Sequence, residues 1–131
     1  MKKIISKSDQ KEKVALSERL SQSWNEVTIS EIGGTKLTSV SSSSLLSGQC
    51  DGTSHTVYTM AYLKNNTAVF YGLDLFKGTI DGTPGSVIFA HQGDFDLTKF
   101  VLKTDVNILP CSGYEGLVDA SGSGKLVQTE D

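Results

Sequence analysis

Phe70-Tyr71-Gly72-Leu73-Asp74-Leu75-Phe76-Lys77-Gly78-Thr79-Ile80-Asp81-Gly82-Thr83-Pro84-Gly85-Ser86-Val87-Ile88-Phe89-Ala90-His91-Gln92-Gly93 decides the class of fold. Two runs rich in aromatic and β-branched residues flank Asp81-Gly82, a pair suited to a two-residue type I′ hairpin turn, in which both positions take positive φ. That turn sets Ile80 opposite Thr83. Counting back pairs Phe76 with Val87, Asp74 with Phe89, Gly72 with His91 and Phe70 with Gly93. Side chains alternate across a sheet, so these pairs share one face. It is apolar except for Asp74 and His91, set diagonally, and Gly72 leaves room for the imidazole opposite it. The other face carries Tyr71, Leu73, Leu75, Ile88, Ala90 and Gln92 and is also mostly apolar. A half-exposed antiparallel strand should alternate apolar with polar, so both faces need cover.

Beyond this hairpin, turn signals recur at Gly33-Gly34, Gly48 with Asp51-Gly52, Asn65-Asn66, Ser112-Gly113, and Gly122 with Gly124. No segment sustains a helical apolar period. The best helix candidate, residues 8–20, reads as strand in its last part, because Val14, Leu16 and Leu20 also fit alternation. Strands are expected over residues 14–25, 36–47, 54–63, 67–78, 83–95, 99–109 and 116–127. Long successive strands suit an all-β, closed antiparallel up-and-down barrel of about eight strands, which leaves no exposed edge. A sandwich is the alternative, but its turns come every ~8–12 residues and these come about every fifteen.

Residues 1–12 read as a flexible N-terminal tail and 13–131 as a single barrel domain. The apolar outer face implies a homo-oligomer, dimer or trimer, or else a chain terminus folded over it. The register of strand 54–63 stays open. A two-residue loop at Asn65-Asn66 puts Thr59 on the face of Asp74; a three-residue loop puts Tyr58, Met60 and Tyr62 there.

A chain of 131 residues with a hydrophobic fraction of 37% can bury one core. The net charge of -3, without a basic stripe, argues against nucleic-acid binding. Lys2, Lys3, Lys7, Lys11 and Lys13, broken by Asp9 and Glu12, read as a solvated tail. No apolar run is long enough to span a membrane, and the N-terminus lacks the apolar segment of a signal peptide, so a cytoplasmic location is expected. Cys50 and Cys111 form no CxxC motif and are expected to stay reduced. Asn65-Asn66-Thr67 matches a glycosylation sequon but reads as a turn.

His91 and Asp74 are the sharpest catalytic candidates, since a carboxylate can orient an imidazole for acid/base work. A self-satisfied polar pair inside the barrel is the plainer reading. Glu26, beside Trp24, is a third candidate at the barrel mouth. His55 follows Asp51, but two histidines without HxH or HExxH spacing give no metal site. Ser41-Ser42-Ser43-Ser44 would send two hydroxyls inward and could leave cavity space. Ser121-Gly122-Ser123-Gly124-Lys125 lacks the first glycine and the final Ser or Thr of a phosphate loop.

The order of motifs resembles an uncharacterised bacterial domain-of-unknown-function family with the allene oxide cyclase-like barrel fold. It rests on Ser23-Trp24-Asn25-Glu26, Lys36-Leu37-Thr38, Met60-Ala61-Tyr62, Phe70-Tyr71-Gly72-Leu73-Asp74 and Gly78-Thr79. It continues with Gly85-Ser86-Val87-Ile88-Phe89, His91-Gln92-Gly93 and Ser112-Gly113, covering about residues 14–124. Members of that family typically carry Glu where Asp74 stands and bulkier apolar residues at Arg19 and Ser21. They also show a Ser-Gly-Thr-Gly run where this chain has Ser112-Gly113-Tyr114-Glu115. The resemblance implies an eight-stranded barrel and oligomerisation, not cyclase activity.

Two functions then compete. One is a barrel holding a small, largely apolar molecule, lined by Trp24, Tyr58, Phe70, Phe89 and His91. The other is a cyclase or isomerase using His91 with Asp74 or Glu26 for proton transfer. A filled barrel serving as an oligomeric scaffold is the bland alternative. No cofactor is expected.

Overall fold

A computed structural model describes residues 3–8 and 14–128. Its elements are β1 (Lys3–Ser8), β2 (Val14–Ile32), β3 (Thr35–Gly48), β4 (Cys50–Tyr62), β5 (Thr67–Ile80), β6 (Thr83–Asp96), β7 (Val101–Ile108), β8 (Tyr114–Glu115) and β9 (Ser123–Gln128). Every pairing is antiparallel. The strands run in the order β5-β4-β3-β2-β1-β9-β7-β6-β8, and β5 pairs with β6 as well. Each strand other than the two-residue β8 therefore has a hydrogen-bonded neighbour on both sides.

The central hairpin has the expected register. Asp81 and Gly82 take φ of 52° and 80°, and Ile80 pairs with Thr83, Asp74 with Phe89 and Gly72 with His91. The β4–β5 hairpin resolves the open choice. Leu63 N donates to Thr67 O, and Asn66 adopts φ 65°, the left-handed residue of a three-residue loop. Tyr58 and Met60 are consequently buried and Thr59 is exposed.

Four expectations change. Residues 3–8, assigned to a flexible tail, form β1 between β2 and β9. The second strand does not stop at 25 but runs to Gly33-Gly34, where both glycines take positive φ. Residues 116–122 are not strand: Leu117 turns into the core there, and the last strand starts at Ser123. The alternation in β2 is also inverted. Ser17 and Arg19 are buried and Leu20 is 53% exposed, because Arg19 has a charged partner inside.

The buried face is layered along the strands. Leu46, Phe76, Val87, Phe89, Ile108 and Leu126 belong to one apolar cluster. Val40, Tyr58, Met60, Ala68 and Phe70 form another. A polar belt separates them: Ser42 and Ser44 on β3, Ser54 and Thr56 on β4, Asp74 on β5 and His91 on β6, all buried.

Candidate functional site

A β-bulge builds the open end of the interior. The β2–β3 register shifts between Ser21 and Ser23, so Trp24 then pairs with Ser42 and Glu26 with Val40, both inward positions. Without the extra residue, Ser23 and Asn25 would face inward instead.

Next to the second apolar cluster lies a cavity of about 470 Å³. Its apolar wall comes from Trp24, Met60, Tyr62, Phe70, Phe95 and Leu102, and Arg19, Ser21, Tyr58 and Thr104 also line it. Tyr58 stands at the centre of the aromatics, edge-on to Phe70 at 5.5 Å and tilted against Trp24 at 6.0 Å. Glu26 does not line the cavity but holds two residues that do. Its carboxylate accepts bonds from Trp24 Nε1 (3.0 Å), Thr38 Oγ1 (2.7 Å) and the Tyr62 hydroxyl (2.5 Å). Partial burial pushes the Glu26 carboxyl up, but these donors and nearby Lys36 outweigh it and hold the pKa below the usual value. The same burial and the adjacent carboxylate raise the Tyr62 phenol.

Below the cavity, the belt gathers charge. The Arg19 guanidinium donates from Nη2 to Asp74 Oδ2, and its nitrogens lie 3.5 Å from Ser44 Oγ and 3.4 Å from Ser54 Oγ. His91 Nε2 is 3.2 Å from the same Asp74 oxygen, and the Tyr58 hydroxyl is 3.4 Å from His91 Nδ1. Burial pushes the Asp74 carboxyl up. The hydrogen bond from His91, the Arg19 charge and Ser54 oppose this and hold it below the usual carboxylate range. An ionised carboxylate only accepts, so the proton of a neutral His91 sits on Nε2, and Nδ1 accepts from the Tyr58 O–H. Burial pushes the Tyr58 phenol up to about 12, which keeps it protonated at neutral pH.

Gly72 makes the Tyr58–His91 contact possible. Tyr58, Gly72 and His91 stand in line across β4, β5 and β6. A Cβ on Gly72 would fall 2.4 Å from Tyr58 Cδ1, so the phenol lies across the bare glycine to reach an imidazole two strands away. The space left by Gly72 is thus filled by Tyr58.

Of the residues expected to hold a ligand, Trp24, Tyr58 and Phe70 line the large cavity. Phe89 and His91 do not. They border a separate void of about 20 Å³, room for about one water, and Phe89 packs on Phe76 at 5.7 Å. Of the inward hydroxyls of the serine run, that of Ser44 lies against Arg19, and neither Ser42 nor Ser44 lines the large cavity. Arg19 itself was not foreseen as a site residue; an arginine in an otherwise amphipathic strand reads as surface. Cys50 is buried and Cys111 exposed. Among the described residues no helix is long and apolar enough to cross a membrane.

Residues 20–131 match the model of a family described as protein of unknown function, DUF3224. The chain belongs to the DUF3224 family. A crystal structure of a DUF3224 protein of unknown function from Shewanella oneidensis MR-1 is similar, with a TM-score of 0.61. The two share 14% identity, and the likeness, which shows the fold alone, covers 86% of this chain and 97% of that one. No curated protein matches the chain. The DUF3224 match begins one residue after Arg19, so the cation of the buried cluster stands just outside it. Arg19 and Asp74, two positions that depart from the pattern of the resemblance, are each other's partners.

Proposed function

We propose that the strands close as an allene oxide cyclase-like barrel and that this barrel binds a small, largely apolar molecule at its Trp24 end. The observation that carries this reading is the cavity of about 470 Å³ walled by aromatic and aliphatic side chains. Its size falls in the ~300–1,000 Å³ range of small-molecule sites. The β5–β6 ladder, which joins the first strand of the order to the last but one, supports closure. Burying such a wall against an apolar ligand is favourable by about 25 cal/mol per Å² of apolar surface.

Trp24 is the single tryptophan and lies in the wall, so it reports occupancy. Titration with 1-aminoanthracene, an apolar fluorophore, is expected to quench Trp24 while dye emission rises. Ser21 lines the cavity yet is exposed, so Ser21→Phe should place a ring in the space at little cost to the fold. It should weaken dye binding at least about tenfold, or ~1.4 kcal/mol. Unchanged Trp24 emission on titration, or equal affinity of the two proteins, would sink the reading.

We also propose that the outer face of β3–β6 packs on a second copy. Its outward positions across residues 39–45, 55–59, 71–75 and 88–92 carry no Asp, Glu, Lys or Arg. Val57, Tyr71, Leu73 and Leu75 are each at least half exposed there. A two-fold contact sets a surface against itself, and a charge-free one meets no like charge. Light scattering should give the wild-type protein a mass of at least twice 14.0 kDa, and Leu73→Lys a mass of 14.0 kDa. A monomeric wild type would refute this contact.

A further inference from the structure

Arg19 and Tyr58 belong both to the cavity wall and to the buried cluster. From this geometry we propose that Tyr58 is an acid/base group and that the cavity takes an apolar ketone, losing a proton from a carbon beside its carbonyl and regaining it there or at a conjugated carbon. The inference rests on the binding reading above and names its substrate class.

The chain Tyr58 O–H, His91 Nδ1, His91 Nε2–H, Asp74 Oδ2 and the Arg19 guanidinium leads from the cavity to a fixed charge. A C–H proton of the ketone passes to the Tyr58 oxygen while the Tyr58 proton passes to His91 Nδ1. The electron pair of the broken C–H bond forms the enolate C=C, and the carbonyl π pair moves onto oxygen. The ligand gains one negative charge and the imidazole one positive charge. Asp74 faces the new imidazolium, and Arg19, already opposite Asp74, is the cation nearest the enolate at the wall. Reversal returns the proton to the same carbon or to a conjugated one, so the step balances with no co-reactant. His91 acts through Tyr58 and does not border the cavity; it is a positioning group and proton store.

Two features favour work over structure. A buried ion pair is weak evidence for stability, since apolar residues of the same volume commonly do as well. Tyr58 also reaches its histidine only because β5 presents Gly72 at that row.

The test uses 2-tetralone, a bicyclic ketone with acidic C–H groups, in D₂O. Exchange of those protons is followed by NMR, and binding by Trp24 fluorescence. The wild type is expected to bind and to accelerate exchange. Tyr58→Phe keeps the ring against Phe70 and Trp24, so it should bind within about threefold yet lose about 10²-fold in exchange rate. Binding without accelerated exchange, or equal exchange by Tyr58→Phe, overturns the proton transfer and leaves the binding reading standing. Absence of tetralone binding while 1-aminoanthracene binds overturns the ketone assignment. Absence of both removes the site altogether.

Discussion

Arg19→Met is expected to destabilise the protein by about 3–5 kcal/mol at neutral pH, the usual penalty for leaving one member of a buried ion pair alone. Arg19 is 3% exposed and Asp74 0%. Methionine fills much of the volume but supplies no donor to a carboxylate that water cannot reach. Only His91 and Ser54 would then oppose the burial that pushes the Asp74 carboxyl up.

The sign of the pH dependence follows. In the wild type Asp74 titrates below the usual aspartate value of 3.8. Its contribution to stability is therefore complete above that value and is lost as pH falls through the depressed folded value. The gap between wild type and Arg19→Met should thus be widest near neutrality and narrow in acid. Adding Asp74→Leu to Arg19→Met removes the stranded charge and should recover most of the loss. Urea midpoints at pH 7 and near pH 2 measure both effects. A neutral-pH midpoint unchanged by Arg19→Met, or a double variant no more stable than the single one, would show that the pair carries little.

The difficulty of reading Arg19 from the sequence explains what was legible and what was not. The β5–β6 hairpin could be read to the residue because Asp81-Gly82 accepts positive φ at both positions and period-two apolarity continues outward on both strands. The same hairpin placed Asp74 and His91 on one face. The partner that completes them lies 55 residues from Asp74 in the chain, on a strand whose inward positions before the bulge, Ser17, Arg19 and Ser21, are polar. Polarity patterning assumes that charge faces water, and it fails where one buried charge is there to meet another.

The bulge at Ser21–Ser23 is hidden for a related reason. Small polar residues sit on both sides of it, so no change in apolar phase marks the shift that turns Trp24 and Glu26 inward. Glu26 was expected at a strand end in the barrel mouth. It lies within a longer strand, and its role is to hold Trp24 and Tyr62 at the cavity. The choice between faces for β4 depended on one residue of loop length, and only the left-handed Asn66 settled it.

Gly72→Ala should be strongly disruptive. The new Cβ would lie 2.4 Å from Tyr58 Cδ1, 2.9 Å from Tyr58 Cε1 and 2.7 Å from the Val57 carbonyl oxygen. The phenol is 7% exposed and wedged between Trp24 and Phe70, so it has no free space to swing into except the cavity. Overpacking of this kind costs about 1–3 kcal/mol, and contact with backbone as well as ring puts this site at the upper end. A ring driven into the cavity would also break the 3.4 Å contact with His91 and occupy the space a ligand needs.

Gly72→Ala is therefore expected to lower the urea midpoint without changing its slope, to abolish 1-aminoanthracene binding, and to remove any proton exchange that depends on Tyr58. Tyr58→Leu supplies the control. With the ring gone, the Val57 oxygen is what remains of the three closest contacts, and the cost of the alanine should fall by about half or more, a coupling that a double-mutant cycle reads directly. An equal cost in both backgrounds would mean that backbone crowding alone accounts for the glycine. Tyr58 would then owe its reach across β5 to something other than the missing side chain.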